Sequence, residues 1–205
     1  VNFLKSYDKN EELKSIGFNE SSFTILLMSG SLGVDYVIKV FKLLINLNKD
    51  IQIIIITGNN DCLYQKFSDL ISKCKNTSIK FHLLGFTKNV SKYMKISDVI
   101  ITKPGGLTTT EAIYSQLPII FFDAIPGQEE KNADFILKNK IGMRISNSQE
   151  SINLFEELID NKSILDEMKE NILSVKKINF IDNLIDIMNS LYPEEQYLQN
   201  KNYTY

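Results

Sequence analysis

The sequence predicts an α/β protein with a doubly wound parallel sheet of about six strands. Short apolar runs rich in Ile, Val and Leu alternate with helix-length segments along most of the chain. The runs show little polar alternation, which is typical of strands buried on both faces of a sheet. The length of 205 residues, with 43% apolar and 23% charged residues, fits one globular domain or two small ones.

The predicted strands are the short apolar runs. They span residues 24–28, 51–57, 79–84, 99–102, 118–122 and, as a final short one, 143–145. A sheet built from alternating strands and helices is parallel, and it binds ligands beyond the carboxyl ends of its strands. Loops that follow strands are therefore the places where function is expected.

The predicted helices carry apolar residues three and four positions apart. Between the strands they span residues 34–47, 62–73, 90–96, 108–116 and 128–139. After residue 148 only helical patterns remain, over residues 152–159, 164–175 and 180–191. These last helices are expected to cover the sheet.

The predicted organisation has three parts. Residues 1–22 are polar and read as a linker with a short helix over 11–16. Residues 23–178 form the sheet domain, and residues 179–205 form a C-terminal helix and a polar tail. The tail is expected to be disordered or to pack on something outside this chain. Because the first residue is Val1, we expect a fragment or a processed chain.

Composition argues against several classes of function. The net charge of −2 does not favour nucleic-acid binding, and no apolar run approaches the roughly 20 residues that span a bilayer. Two cysteines, Cys62 and Cys74, fit a reducing compartment. With one histidine, His82, there is no zinc-ligand pattern, and His82 in a predicted strand is expected to be structural.

The most informative run is Lys103-Pro104-Gly105-Gly106-Leu107-Thr108-Thr109-Thr110-Glu111-Ala112, between a predicted strand and a predicted helix. Glycines let the backbone approach a ligand, and the first N–H groups of the helix favour an anion. Glu111 would repel a phosphate placed directly beside it. A diphosphate on the glycines and a ribose hydroxyl on Glu111 would resolve that conflict, which indicates a nucleotide.

Other loops follow other strands. Ser29-Gly30-Ser31-Leu32-Gly33 suits a phosphate near Ser31, a tight turn, or room for the ligand of another domain. Thr57-Gly58-Asn59-Asn60 reads as a turn with a helix cap. In Gly85-Phe86-Thr87 the aromatic ring can stack on a base and the backbone around Thr87 can read the base edge, or Phe86 is a core residue.

The loop after the fifth predicted strand leads into a polar helix start. Gln128 and Asn132 are four residues apart and so share one helix face, and their amides suit sugar hydroxyls. The alternative is an exposed polar face. Glu129 near the helix N-terminus can complement the helix dipole.

These motifs closely resemble the C-terminal domain of glycolipid glycosyltransferases with a GT-B fold. The resemblance rests on residues 102–112, on 117–120, and on Pro126-Gly127-Gln128-Glu129 with Asn132-Ala133. The family includes the monogalactosyldiacylglycerol synthases of plastids and the processive diacylglycerol glucosyltransferases of bacteria. The enzyme that adds N-acetylglucosamine to lipid I is similar at a greater distance. The expected fold is a Rossmann-like domain that binds a UDP-hexose donor.

The resemblance implies a role for each site residue. Phe86 and Thr87 would hold uracil, and Glu111 the ribose hydroxyls. The diphosphate would lie on a set of four residues with Ser31 nearby. That set is Gly105, Gly106, Leu107 and Thr108. The hexose would face Gln128, Glu129 and Asn132. The roles of Lys103 and Pro104 are left open.

The resemblance also implies how the full-length enzyme works. Helix N–H groups would stabilise the departing UDP, so no metal or other cofactor is expected. The catalytic base and the acceptor site would lie in an N-terminal domain outside this chain. The acceptor would be a diacylglycerol-type lipid, and the enzyme would be cytoplasmic and peripherally bound to a membrane. The alternatives are a UDP-sugar epimerase of the same architecture and a UDP-sugar-binding regulatory module without turnover.

Overall fold

The computed structural model describes residues 5–28, 34–121, 128–145 and 149–177. Its strands are β1 Phe23–Met28, β2 Ile51–Ile56, β3 Ile79–Leu84, β4 Val99–Thr102, β5 Ile119–Phe121 and β6 Gly142–Arg144. Its helices are α1 Lys9–Ser15, α2 Val34–Leu44, α3 Asp61–Ser72, α4 Val90–Ile96, α5 Gly106–Tyr114, α6 Gln128–Lys138, α7 Gln149–Asp160 and α8 Lys162–Lys177.

The six strands form one parallel sheet in the order β3-β2-β1-β4-β5-β6. This confirms the predicted doubly wound α/β fold. The strand order changes direction between β1 and β4, so the loops after these two strands flank the switch point of the sheet. Ligands of doubly wound proteins bind at that point, beyond the carboxyl ends of the strands.

Element ends differ from the prediction by a few residues. Helix α5 begins at Gly106, two positions before the predicted start, because Gly105 is its N-cap. Helix α2 ends at Leu44 rather than at residue 47, since the next residues form tight turns with hydrogen bonds three residues apart. Strand β6 lies one residue earlier than predicted. The predicted helix over residues 180–191 lies outside the described residues.

The core has two layers because the central strands β1, β2, β4 and β5 are buried on both faces. In β1, Ile25 and Leu27 pack on one side with α2, α3 and α7, whereas Leu26 packs on the other side with α1, α4, α5 and α6. Helix α8 contributes to both layers. This two-sided burial explains why the sequences of these strands are mostly apolar without alternation, whereas the edge strand β3 carries Lys80 and His82.

The segment before β1 packs against the sheet domain. Leu13 in α1 and Phe18 are buried in the second core layer. Glu12 pairs with Lys92 of α4 at 3.0 Å. The boundary predicted at residue 22 stays a prediction, but the residues before it contribute to the core. In the part of the chain that the structure describes, we find no helix long and apolar enough to span a membrane.

Candidate functional site

Helix α5 presents its N-terminus at the switch point of the sheet. Gly105 is the N-cap, and its carbonyl accepts the first helical hydrogen bond from the N–H of Thr109 at 2.9 Å. The N–H groups of Gly106, Leu107 and Thr108 therefore have no acceptor within the helix. Leu107 is 75% exposed, and the first turn of α5 carries no acidic residue. This end of α5 can accept an anion.

The two glycines before and at the start of α5 are not required by the protein's own packing. A Cβ built on Gly105 would lie 3.8 Å from Cε of Lys103, and one on Gly106 would lie 3.8 Å from Nδ2 of Asn132. Both are ordinary contacts, and neither glycine has a positive φ. Residues 103–106 are here called the glycine loop. Glycines that the described packing does not require are expected where a ligand approaches the backbone.

Two side-chain contacts tie the glycine loop to the start of α6. The Lys103 ammonium lies 2.5 Å from Oε1 of Glu129, and both side chains are less than one-fifth exposed. The side-chain amide of Asn132 donates to the carbonyl oxygen of Pro104 at 2.9 Å. The structure thus brings together four residues from two sequence motifs. The roles of Lys103 and Pro104, left open by the sequence, are in part to join these elements.

Glu111 lies one turn into α5 and is half-buried. Burial raises the pKa of its carboxyl group above the usual range. Its carboxylate has no hydrogen-bond partner among the described residues, so it can accept hydrogen bonds from a ligand. The charge repulsion expected between Glu111 and a phosphate placed beside it remains, because both would lie near the N-terminal end of α5.

The three threonines of α5 differ in their surroundings. Thr108 is half-buried, and the Thr110 hydroxyl donates to the Gly106 carbonyl oxygen at 2.9 Å. Thr109 is 6% exposed, and its hydroxyl finds no hydrogen-bond partner in the described part of the chain. Sequence spacing does not indicate a role for Thr109, because it does not show that this hydroxyl is buried and without a partner among the described residues.

Phe86 and Thr87 follow β3 at the same edge of the sheet. Phe86 is 64% exposed, so it is not a core residue. The Thr87 hydroxyl oxygen accepts a hydrogen bond of 3.1 Å from the N–H of Asn89. Strand β3 lies three strand steps from β4, or about 14 Å at the usual strand spacing. Phe86 and the glycine loop therefore share one edge and do not touch.

The remaining predicted loops have separate outcomes. Asn60 caps α3 by accepting from the N–H of Leu63 at 2.9 Å, and Gly58 has a φ of 62°, which confirms the turn with a helix cap. Ser31 lies outside the described residues. The backbone of Gln128 begins α6, but its side chain is not among those described.

His82 lies away from the glycine loop. Its ring packs between Phe18, at 6.3 Å between centroids, and Tyr93, at 5.8 Å. Burial and the nearby Lys92 ammonium lower its pKa. The described residues contain no group of three or more His, Cys, Asp or Glu side chains that could hold a metal ion.

The chain is similar to named proteins in sequence. The family model for "Glycosyl transferases group 1" matches residues 8–175. A processive diacylglycerol beta-glucosyltransferase from Staphylococcus epidermidis is 32% identical over 210 aligned positions, covering 95% of this chain and 50% of that protein. The enzyme of the same name from Bacillus pumilus is 29% identical, covering 84% of this chain and 44% of that protein. The chain thus spans about half the length of these relatives.

The fold is similar to solved structures at lower identity. MurG from Acinetobacter baumannii superposes with a TM-score of 0.66 at 19% identity, covering 83% of this chain and 49% of that one. Anabaena Alr3699/HepE, solved in complex with UDP and glucose, superposes with a TM-score of 0.70 at 15% identity, covering 93% of this chain and 54% of that one. The resemblance to the C-terminal domain of GT-B glycolipid glycosyltransferases is confirmed, and the chain belongs to the group 1 glycosyltransferase family.

Proposed function

We propose that this chain binds the UDP-hexose donor of a hexosyltransferase that glycosylates a diacylglycerol-type lipid. One observation carries the proposal. At the switch point of the sheet, the first turn of α5 is exposed at Gly106 and Leu107, and its first backbone N–H groups have no acceptor within the helix. Exposed N–H groups and a helix dipole of this kind suit a diphosphate.

The parts of the donor are assigned to separate loops. The diphosphate is assigned to Gly105, Gly106, Leu107 and Thr108, and the sequence resemblance adds Ser31. Glu111 accepts hydrogen bonds from the ribose hydroxyls, and the lack of a hydrogen-bond partner for its carboxylate among the described residues supports this assignment. Phe86, with its exposed ring, stacks on uracil beside Thr87.

The hexose lies against the start of α6. Its contacts are assigned to Gln128, Glu129 and Asn132. Asn132 uses one N–H on the Pro104 carbonyl, and its amide oxygen can still accept from a hydroxyl. Glucose is preferred over galactose in the proposal, because the curated relatives are named as glucosyltransferases.

The chemical role of this half is to stabilise the leaving group. As UDP departs from the anomeric carbon, negative charge grows on its β-phosphate. The N–H groups of α5 already point toward that charge and need no reorganisation to stabilise it. The proposal therefore includes no metal requirement. The base that deprotonates the acceptor hydroxyl is assigned to an acceptor domain outside these residues, which would work at a membrane surface in the cytoplasm.

The two alternatives are a UDP-sugar epimerase and a binding module without turnover. An epimerase needs acid and base groups beside the sugar. His82 is the single histidine of the sequence, and it is packed between Phe18 and Tyr93 away from the glycine loop. This position does not favour an epimerase.

Calorimetric titration of the 205-residue chain tests the proposal. UDP and UDP-glucose are expected to bind more tightly than ADP or GDP, and the chain alone is expected to transfer no sugar to diacylglycerol. Equal affinity for all three nucleoside diphosphates would contradict base recognition by Phe86 and Thr87. Measurable transfer by this chain would contradict the assignment of the base to another domain.

A further inference from the structure

We propose that Lys103 is a positioning residue that holds the Glu129 carboxylate toward the hexose, so that sugar recognition depends on the glycine loop. The inference rests on the proposed function, since it assigns the hexose to the start of α6. It adds a residue that lies outside the predicted donor contacts.

The ion pair between Lys103 and Glu129 is largely enclosed. The Lys103 ammonium lies 2.5 Å from Oε1 of Glu129, and the side chains are 18% and 16% exposed. In the ion pair between Lys49 and Asp160, the aspartate side chain is 61% exposed. Water and salt screen an enclosed pair less than an exposed one, so the first pair constrains its side chains more strongly.

Lys103 is itself fixed at its base. It directly follows Thr102, the buried last residue of β4, and its Cε lies 3.8 Å from the position of a Cβ on Gly105. Its stem therefore runs along the glycine loop before the ammonium reaches α6. A change in the conformation of the glycine loop therefore displaces the Lys103 ammonium and, through the ion pair, the Glu129 carboxylate.

The pair leaves Glu129 able to contact a sugar. A carboxylate offers about four lone-pair directions, so one that is held by an ammonium can still accept from hexose hydroxyls. Without Lys103, the Glu129 carboxylate loses its contact with the glycine loop, so its position no longer depends on that loop.

The second link between the same elements supports this interpretation. Asn132, also assigned to the hexose, donates to the Pro104 carbonyl in the glycine loop. Glu129 and Asn132, the two described side chains assigned to the hexose, are thus anchored to neighbouring residues of the glycine loop. This arrangement couples the sugar contacts to the loop rather than to α6 alone.

Titration with UDP, UDP-glucose and UDP-galactose tests the inference through a ratio. The sugar increment is the Kd for UDP divided by the Kd for UDP-glucose. In Lys103→Met we expect the increment to fall by about tenfold, as for loss of one charge-assisted hydrogen bond. The Kd for UDP is expected to change by less than about threefold, because UDP lacks the sugar. Discrimination between the two hexoses is expected to fall together with the increment.

Matched variants separate positioning from other causes. In Glu129→Gln, and in the double variant that combines Lys103→Met with Glu129→Gln, the sugar increment is expected to fall as much as in Lys103→Met. The losses are not additive, because the two residues act as a pair. Lys103→Arg is expected to restore most of it. Lys49→Met, which breaks an exposed ion pair at the opposite edge of the sheet, is expected to change neither Kd. Thermal melting confirms that each variant is folded.

Several results would overturn the inference. A Lys103→Met variant that weakens UDP and UDP-glucose equally would show a direct phosphate contact instead. An unchanged increment, or additive losses in the double variant, would show that Lys103 does not act through Glu129. If the wild-type chain binds no UDP-hexose at all, the proposed function fails and the inference fails with it, whereas binding with an unaltered increment removes only the inference.

Discussion

The side-chain amide of Asn132 donates a hydrogen bond of 2.9 Å to the carbonyl oxygen of Pro104. Pro104 is buried, so this carbonyl has limited access to water. The bond joins α6 to the glycine loop across 28 positions of the sequence. Asn132 therefore shapes the loop in the absence of ligand, in addition to the sugar contact that we propose for it.

The first prediction concerns this bond. Asn132→Ala leaves the Pro104 carbonyl unpaired, so we expect the free energy of unfolding to fall by about 1–3 kcal/mol. The Kd for UDP is expected to rise, since the loop that holds the diphosphate loses a support. Denaturant unfolding and calorimetry measure the two effects.

Asn139, one residue past the end of α6, provides a control. Its side-chain amide donates to the Phe135 carbonyl at 2.8 Å, but at an exposed position. Asn139→Ala is expected to change stability little and UDP affinity not at all. If both variants behave alike, the bond from Asn132 has no special role in the loop.

The second prediction contrasts two glycines. A Cβ on Gly106 meets Asn132 at an ordinary 3.8 Å, whereas a Cβ on Gly142 would lie 2.0 Å from the Ile119 carbonyl oxygen. We expect Gly106→Ala to fold normally, even with a slight gain from better helix propensity, and to bind UDP weakly. Gly142→Ala is expected to unfold or to melt far below the wild type, because the clash is with backbone.

Melting curves and UDP titration of the two variants decide this prediction. Normal UDP affinity in Gly106→Ala would mean that no ligand approaches the backbone there. The glycine at position 106 would then need another explanation.

The fold was predictable from sequence because burial on both faces leaves a strong local signal. The apolar runs of β1 and β2 need no knowledge of distant contacts to be recognised. The position of the glycine loop was also predictable from the sequence, because parallel strands bring all their carboxyl ends to one edge of the sheet. Helix ends were less predictable, as α5 shows, because a glycine N-cap at Gly105 has no side chain to mark it.

The contacts within the site were not predictable. Lys103 and Glu129 are 26 residues apart, and their pairing depends on how the start of α6 lies against the residues that follow β4. Spacing within one helix cannot show this. The burial of Thr109 beside the exposed Leu107 depends in the same way on which face of α5 meets the core.

The third prediction concerns His82, whose buried Nε2 has no hydrogen-bond partner among the described residues. Burial and the Lys92 ammonium lower its pKa in the folded state. The unfolded chain then binds a proton more readily, so stability is lost as pH falls through the ordinary histidine range toward the lowered pKa. His82→Phe keeps a ring between Phe18 and Tyr93 and removes the unpaired nitrogen.

We expect His82→Phe to be at least as stable as the wild type at neutral pH. We also expect it to lose less stability than the wild type between about pH 7 and pH 5, where an ordinary histidine titrates. Denaturant unfolding across this range measures both. UDP affinity should not change. Parallel pH curves for the two proteins would show that His82 does not cause acid destabilisation.

The fourth prediction concerns Glu111 and the ribose. If its carboxylate accepts hydrogen bonds from the ribose hydroxyls, Glu111→Ala removes one or two charge-assisted bonds. Each contributes about 1.5–3 kcal/mol, so UDP affinity is expected to fall by about tenfold to a few hundredfold. Fold stability should change little, because the carboxylate has no partner among the described residues.

The pH dependence of binding gives an independent test. Burial raises the pKa of Glu111 in the unliganded protein, and hydrogen bonds from ribose favour the charged form. UDP binding should therefore release a proton, and affinity should be lost as pH falls through the raised pKa. Phosphate protonation weakens UDP binding to both proteins, so the Glu111 effect is the difference between the wild-type and Glu111→Ala curves.

Comparison of UDP with 2′,3′-dideoxy-UDP identifies the hydroxyls as the groups that Glu111 binds. The wild-type chain is expected to prefer UDP, because only UDP has the hydroxyls, and Glu111→Ala is expected to lose most of that preference. A helix-surface glutamate would instead leave both affinities unchanged. If the variant still distinguishes the two ligands as well as the wild type does, Glu111 does not bind ribose. Its raised pKa then reflects only its partly buried position in α5.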